Sequence, residues 1–276
     1  LVVNGQLSIG SLIGFNIFSS RALVLASGAQ RSYLNLTGLN SLILSSYEKL
    51  KDSKERYQGM QLNTVTGNLK LNKIDFSYNK SDFLFRNLNI SINPGQLFCI
   101  SGSNGGGKTT LSKILMGILE PSAGEVLVDG TNLNKLSLKW WKKQVAYIPQ
   151  NPNILNSSIM DNILLGNDKL NEQEVSRLLQ TVGLDHKLKT TSLTILDPIE
   201  DNLSKGVKKK IHYARALAQN SKIFIIDDPF GYLDNQGVEI VQKLIESLKR
   251  ANKTIILFSD NNILSNFVDE NITIGN

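Results

Sequence analysis

Apolar and polar positions follow one regime up to about residue 67 and another beyond it. From Asn68 to Tyr78 they alternate, with Leu69, Leu71, Ile74 and Phe76 among the apolar positions, the period of a half-buried strand. Leu88-Asn89-Ile90-Ser91-Ile92 alternates again, and Pro94-Gly95 turns it. Gln96 to Ser101 reads as a buried strand and Leu111 to Leu119 as a helix. Pro121 to Gly124 turns the chain into a strand over Glu125 to Gly130, and Val145 to Pro149 forms another. Residues 157–219 read as mostly helical, Ile223 to Ile226 as a short buried strand, and Val238 to Leu248 as an amphipathic helix. Thr254 to Phe258 and Ile272 to Ile274 complete the set. Buried strands alternating with helices predict an α/β fold with a mostly parallel sheet covered on both faces.

The first regime is different. Leu7 to Ala26 is apolar and rich in small residues, yet Asn16 and Arg21 interrupt it. Hydropathy alone leaves two readings open, a weak membrane span or an amphipathic soluble helix. Arg21, Arg31, Lys49, Lys51, Lys54 and Arg56 follow, which for a span would put its C-terminal side in the cytoplasm. Tyr33 to Lys54 carries Leu34, Leu36, Leu39, Leu42 and Leu44 at helical spacing and predicts a long helix running into a linker.

Composition narrows the picture modestly. A hydrophobic share of 41% in 276 residues suffices for a packed core. The net charge is +6, but the basic residues are scattered apart from Lys208-Lys209-Lys210, so no nucleic-acid partner is indicated. That lysine run reads first as a solvated helix face and second as a phosphate-attracting patch. The single cysteine, Cys99, has no partner for an internal disulfide and reads as a small core residue. The chain opens on Leu1 with no signal-peptide pattern, and the expectation is a fragment whose upstream part is missing.

The chemistry is concentrated at Gly102-Ser103-Asn104-Gly105-Gly106-Gly107-Lys108-Thr109-Thr110, which fits the phosphate-binding pattern G-x-x-x-x-G-K-[ST] between a strand and a helix. Glycines let the backbone curl so that N–H groups face phosphate oxygens, and the helix start adds its positive end. Lys108 is expected to reach the β- and γ-phosphates and Thr109 to hold Mg²⁺. A second constellation, Ile225-Ile226-Asp227-Asp228-Pro229, ends a strand in two carboxylates. Asp227 suits the metal, and Asp228 suits the γ-phosphate side, where it would position water.

With these motifs the sequence, from about Asn68 to its end, resembles the nucleotide-binding domain of ATP-binding cassette (ABC) transporters of the exporter type. Tyr78 matches the aromatic that stacks on adenine, and Gln150 the Q-loop glutamine that senses Mg²⁺. Ser157 to Ile163 is similar to the exporter sequence after that loop. Leu203-Ser204-Lys205-Gly206-Val207 occupies the place of the LSGGQ signature, whose Ser204 and Gly206 would meet ATP bound by a partner chain. Tyr213 to Leu217 and Gly231-Tyr232-Leu233-Asp234 follow in family order.

The resemblance implies a P-loop NTPase, with a RecA-like sheet core and a helical subdomain near residues 152–220, preceded by one transmembrane helix. Residues 1–56 become the end of a transmembrane domain, with its last membrane helix at about 7–27; 57–67 become a linker and 68–276 the cassette. Gly5 to Gly10 and Arg21-Ala22-Leu23 are similar to the type I secretion branch. The implied cofactors are ATP and Mg²⁺. The implied partners are a second half-transporter, the membrane and a periplasmic adaptor. The implied location is the inner membrane with the cassette in the cytoplasm. Three departures stand out: Asp228 replaces the usual Glu, Asp260 stands at the switch histidine, and Lys205 and Val207 alter the signature. The implied activity is therefore a slow ATPase, with Lys108, Asp228 and Asp260 as its catalytic candidates. The alternative is a nucleotide-binding gating half, paired with a competent partner.

Overall fold

The computed structural model describes residues 13–25, 27–28, 30, 59–79, 82–184, 203–260 and 266–275. It divides into two units, Leu1–Glu55 and Arg56–Asn276. In the first, residues 13–25 form helix α1. Its apolar side chains are largely exposed, Phe15 and Phe18 at 74% and Leu25 at 75%. Ser19 and Ser20 turn their hydroxyls back onto the Phe15 and Ile17 carbonyls. The membrane helix expected at about 7–27 is not supported, because no described helix is long and apolar enough to cross a membrane. Polar Asn16 and Arg21 interrupt its apolar run. Residues 7–12 and 26 of that stretch, and the helix expected over Tyr33 to Lys54, lie outside the described residues.

Among its described residues the second unit contains two sheets. Strands β1 (Leu69–Ser77), β2 (Phe83–Ile92), β4 (Ala123–Val128) and β5 (Thr131–Asn132) form an antiparallel sheet in the order β2-β1-β4-β5. Strands β3 (Leu97–Ser101), β6 (Val145–Ile148), β7 (Ile223–Asp227), β8 (Thr254–Phe258) and β9 (Glu270–Thr273) form a sheet in the order β6-β7-β8-β3-β9. All of its pairs are parallel. The expected parallel sheet is thus one of two.

Every residue of β7 and β8 is buried. This is why they read as unbroken apolar runs: a parallel sheet is covered on both faces. Successive side chains point to opposite faces, and the core divides accordingly. Phe98, Ile100, Ile223, Ile225, Ile256 and Phe258 face one cluster, which they share with the antiparallel sheet and helices α2 (Lys108–Leu115) and α3 (Leu138–Gln144). Leu97, Cys99, Phe224, Ile226, Ile255 and Leu257 face the other. That second cluster is closed by α4 (Ile159–Leu164), α5 (Glu172–Thr181), α6 (Lys205–Gln219) and α7 (Asn235–Arg250). In the first cluster fully buried Trp141 pins α3 by donating from its indole to the Leu115 carbonyl at 3.0 Å. Helices α4, α5 and α6 are the described part of the stretch read as helical over 157–219. Residues 185–202 of that stretch lie outside the described residues.

Candidate nucleotide site

A parallel sheet collects its strand ends on one edge, and in such sheets ligands sit beyond the carboxyl ends of the strands. Four of these ends deliver the chemistry here. β3 runs into the glycine-rich loop, β6 into Gln150, β7 ends at Asp227 and Asp228, and β8 leads to Ser259 and Asp260. All of them line one cavity of about 750 Å³, with Ser103, Asn104, Gly105, Gly107, Lys108, Thr109 and Thr110 from the loop and the start of α2. Gly102 and Gly106 are buried beneath it. At Gly107 the backbone sits at φ +94, and a Cβ there would lie 2.4 Å from the Phe85 ring, so both the curl and the packing under it require glycine.

Tyr78 stands beside this cavity rather than in its wall. It is 63% exposed, its hydroxyl is 3.0 Å from that of Thr110, and its ring meets Phe76 edge-on at 4.9 Å. Gln150 lines the cavity and is exposed. Ser204 and Gly206 are not brought to it. Ser204 caps α6, accepting from the Val207 N–H at 3.3 Å. Gly206 packs on the Tyr232 carbonyl, where a Cβ would lie 2.6 Å away. The glycine therefore serves a close approach between two segments of this chain. Lys205 does not project freely either: its ammonium lies 4.6 Å from the centre of the Tyr232 ring, a cation–π contact. The Tyr232 hydroxyl in turn donates to Asn151 at 2.8 Å, next to Gln150.

The carboxylates differ in surroundings. Asp227 is 2% exposed. Burial pushes its carboxyl up, while a hydrogen bond from Thr109 and the charges of Lys209 and Lys108 pull against that rise. Among the described residues its Oδ2 is a buried oxygen without a hydrogen-bond partner. A buried orphan acceptor beside a threonine hydroxyl and a glutamine suits a hard divalent cation such as Mg²⁺, which takes few protein oxygens and completes its shell with water and phosphate. No cluster of three or more His, Cys, Asp or Glu forms a self-sufficient metal cage among the described residues. Asp228 adopts φ +52, a left-handed conformation that aspartate tolerates better than most residues. Its N–H is held by the Phe258 carbonyl at 2.9 Å.

Asp260 faces Lys108 directly. Its Oδ2 accepts from the ammonium at 2.6 Å and its Oδ1 from the Gly102 N–H at 2.8 Å. Burial pushes this carboxyl up, but the two hydrogen bonds and the Lys108 charge outweigh it and hold it below the usual range. Lys108 also donates to the Gly102 carbonyl and, at 3.3 Å, to that of Ser103.

The reading of Lys208 to Lys210 as a solvated face needs correction, since Lys209 and Lys210 are only 0% and 4% exposed. Lys209 donates to the Pro149 carbonyl at 2.9 Å and the Asp227 carbonyl at 3.0 Å, joining the segment before Gln150 to the end of β7. Burial lowers its pKa to about 8, and the charges of Asp228 and Asp227 keep it from falling further. His212 bonds the Asn153 carbonyl at 2.7 Å. Arg215 donates to the carbonyl and the side-chain oxygen of Asn162, at 2.7 and 2.8 Å. One helix thus straps residues 149–162 at three points. The available signal is a lysine run embedded in otherwise apolar helix, with Ile211, Tyr213, Ala214 and Ala216 after it.

The family described as ABC transporter matches residues 85–231. The chain is 30% identical over 262 residues to the alpha-hemolysin translocation ATP-binding protein HlyB of Escherichia coli O6:H1, covering 93% of this chain and 37% of that protein. It is 29% identical over 211 residues to ABC transporter B family member 13 of Arabidopsis thaliana, covering 75% of this chain and 17% of that one. Among solved structures, a bacterial Atm1-family ABC exporter with ATP bound superposes with a TM-score of 0.74 at 20% identity, covering 85% of this chain and 42% of the other. The matched region thus spans less than half the length of each of these proteins.

Proposed function

The chain belongs to the ABC transporter family, and from that membership we propose that it is the ATP-binding part of an exporter, coupling ATP binding and hydrolysis to transmembrane export of a peptide, protein or other substrate. The observation that carries this reading is the convergence of Lys108, Thr109, Gln150, Asp227 and Asp228 on one cavity. Relatives whose names describe toxin translocation favour the type I secretion branch.

In this reading the loop from Gly102 to Thr110 binds the phosphates of ATP and Tyr78 receives the adenine. Thr109, Gln150 and Asp227 would hold Mg²⁺, which when bound offsets phosphate charge. Asp228 orients water, and Lys108 meets the charge that builds on the transferred phosphoryl group. A shorter carboxylate than the family's glutamate makes turnover slow. The cassette works on the cytoplasmic side of a membrane with a second half-transporter, homo- or heterodimeric, whose ATP would face Ser204 and Gly206. A periplasmic adaptor is a further partner of a secretion system. A gating half with little turnover of its own has no comparable support.

The test is steady-state hydrolysis of MgATP by the purified chain, with nucleotide binding measured on the same sample. Wild type should turn over, and Lys108→Ala should lower the rate by about a hundredfold or more, the usual effect of removing a charge-stabilising donor. Binding without any turnover would sink the hydrolytic part of the reading. Absence of binding would sink all of it.

A further inference from the structure

Both oxygens of Asp260 are committed to the phosphate loop, one to the Gly102 N–H at 2.8 Å and one to the Lys108 ammonium at 2.6 Å. The same ammonium bonds the Gly102 and Ser103 carbonyls. An ammonium has three protons to donate, and Lys108 has three partners among the described residues. A phosphate that takes hold of Lys108 must displace at least one of them. The carbonyls belong to the loop itself. Asp260 comes from the end of β8, reaches across 152 residues of sequence, and is an anion like the phosphate it would give way to.

We propose that Asp260 is a built-in competitor for nucleotide phosphate, its carboxylate holding the Lys108 ammonium that phosphate must take and so setting how tightly ATP binds. This rests on the phosphate-loop reading of the site. It differs from simple repulsion between a carboxylate and a phosphate, because competition acts only through Lys108. The side chains of the pair are 15% and 51% exposed, so solvent screens the bond. A partly exposed pair of this kind supports an effect of about two- to fivefold on affinity.

The experiment is calorimetric titration of ATP, with Mg²⁺ and at fixed ionic strength, into wild type, Asp260→Asn, Lys108→Met and the double variant. Asparagine keeps an acceptor for the Gly102 N–H and removes the charge. Thermal melts check that each variant is folded, with Asp260→Ser as a second neutral replacement. Asp260→Asn should bind ATP about two- to fivefold tighter, and the same change should gain nothing in the Lys108→Met background. Equal or weaker binding by Asp260→Asn overturns the proposal. A gain that persists without Lys108 also overturns it, and assigns Asp260 to direct repulsion. If wild type and Asp260→Asn both bind no ATP, the phosphate-loop reading itself fails and this inference falls with it.

Discussion

His212 shows how a single residue can tie stability to pH. Burial, reinforced by the charge of Arg215, lowers its pKa to about 4, although its bond to the Asn153 carbonyl opposes the shift. The folded chain therefore keeps the imidazole neutral, with Nε2 donating to that carbonyl. An unfolded histidine titrates near 6.5. Between about 6.5 and 4 the unfolded state binds more protons than the folded one, so stability falls as pH falls through that window. The slope is about 1.4 kcal/mol per pH unit at most. His212→Gln keeps a donor and removes the titration. Denaturant unfolding at pH 7 and pH 5 should cost wild type about 1–2 kcal/mol more than the variant, and an equal loss would rule His212 out as the source. At this scale the sequence was legible where chemistry is local. The loop from Gly102 to Thr110 and the pair Asp227–Asp228 are contiguous, and their spacing alone suggests phosphate and metal. The ion pair of Asp260 with Lys108 and the burial of Lys209 were not legible. Both depend on partners distant in sequence, and a lysine is ordinarily a surface residue.

At the scale of elements, short helices depend on their ends. Helix α4 has six residues and begins with a capping box: the Ser158 hydroxyl accepts the Asp161 N–H at 3.0 Å, and Asp161 accepts the Ser158 N–H at 3.2 Å. Ser158→Ala should lower the unfolding free energy by about 1 kcal/mol, while Ser158→Asp should retain most of it. Equal losses would mean that the side-chain cap contributes little. This helix carries Asn162, which receives Arg215, so fraying at its start would loosen one of the three straps holding the segment after β6. Strands β3, β7 and β8 were legible because each is an unbroken apolar run of parallel-sheet type. The first half of β2 was missed because Arg86 and Asn87 break its alternation, Asn87 in a left-handed conformation. Helix α3 was missed as well. Its signal is Ser137 as cap, followed by buried Leu138 and Trp141 three apart, amid five intervening and following polar or half-buried positions.

At the scale of the molecule, one edge of one sheet organises everything that bears on nucleotide. The α/β alternation was legible from Asn68 onward because periodicity reports burial. The separate antiparallel sheet was not, because an alternating strand does not say which neighbour it pairs with. Cys99 lies in β3, at the root of that edge, paired with Leu257 of β8 and Asn271 of β9. It is the only thiol in the chain and 8% exposed, its sulfur 3.8 Å from the Ser259 carbonyl. Burial, with the charge of Asp260, pushes its pKa up. A disulfide reagent can reach it only when the layer packed over β3 opens, so labelling kinetics would time that opening beneath the loop, residue-specifically and without an engineered cysteine. Saturating MgATP should slow that labelling, because a ligand bound only to the closed form suppresses opening. An unchanged rate would mean that this strand breathes independently of what the loop above it holds.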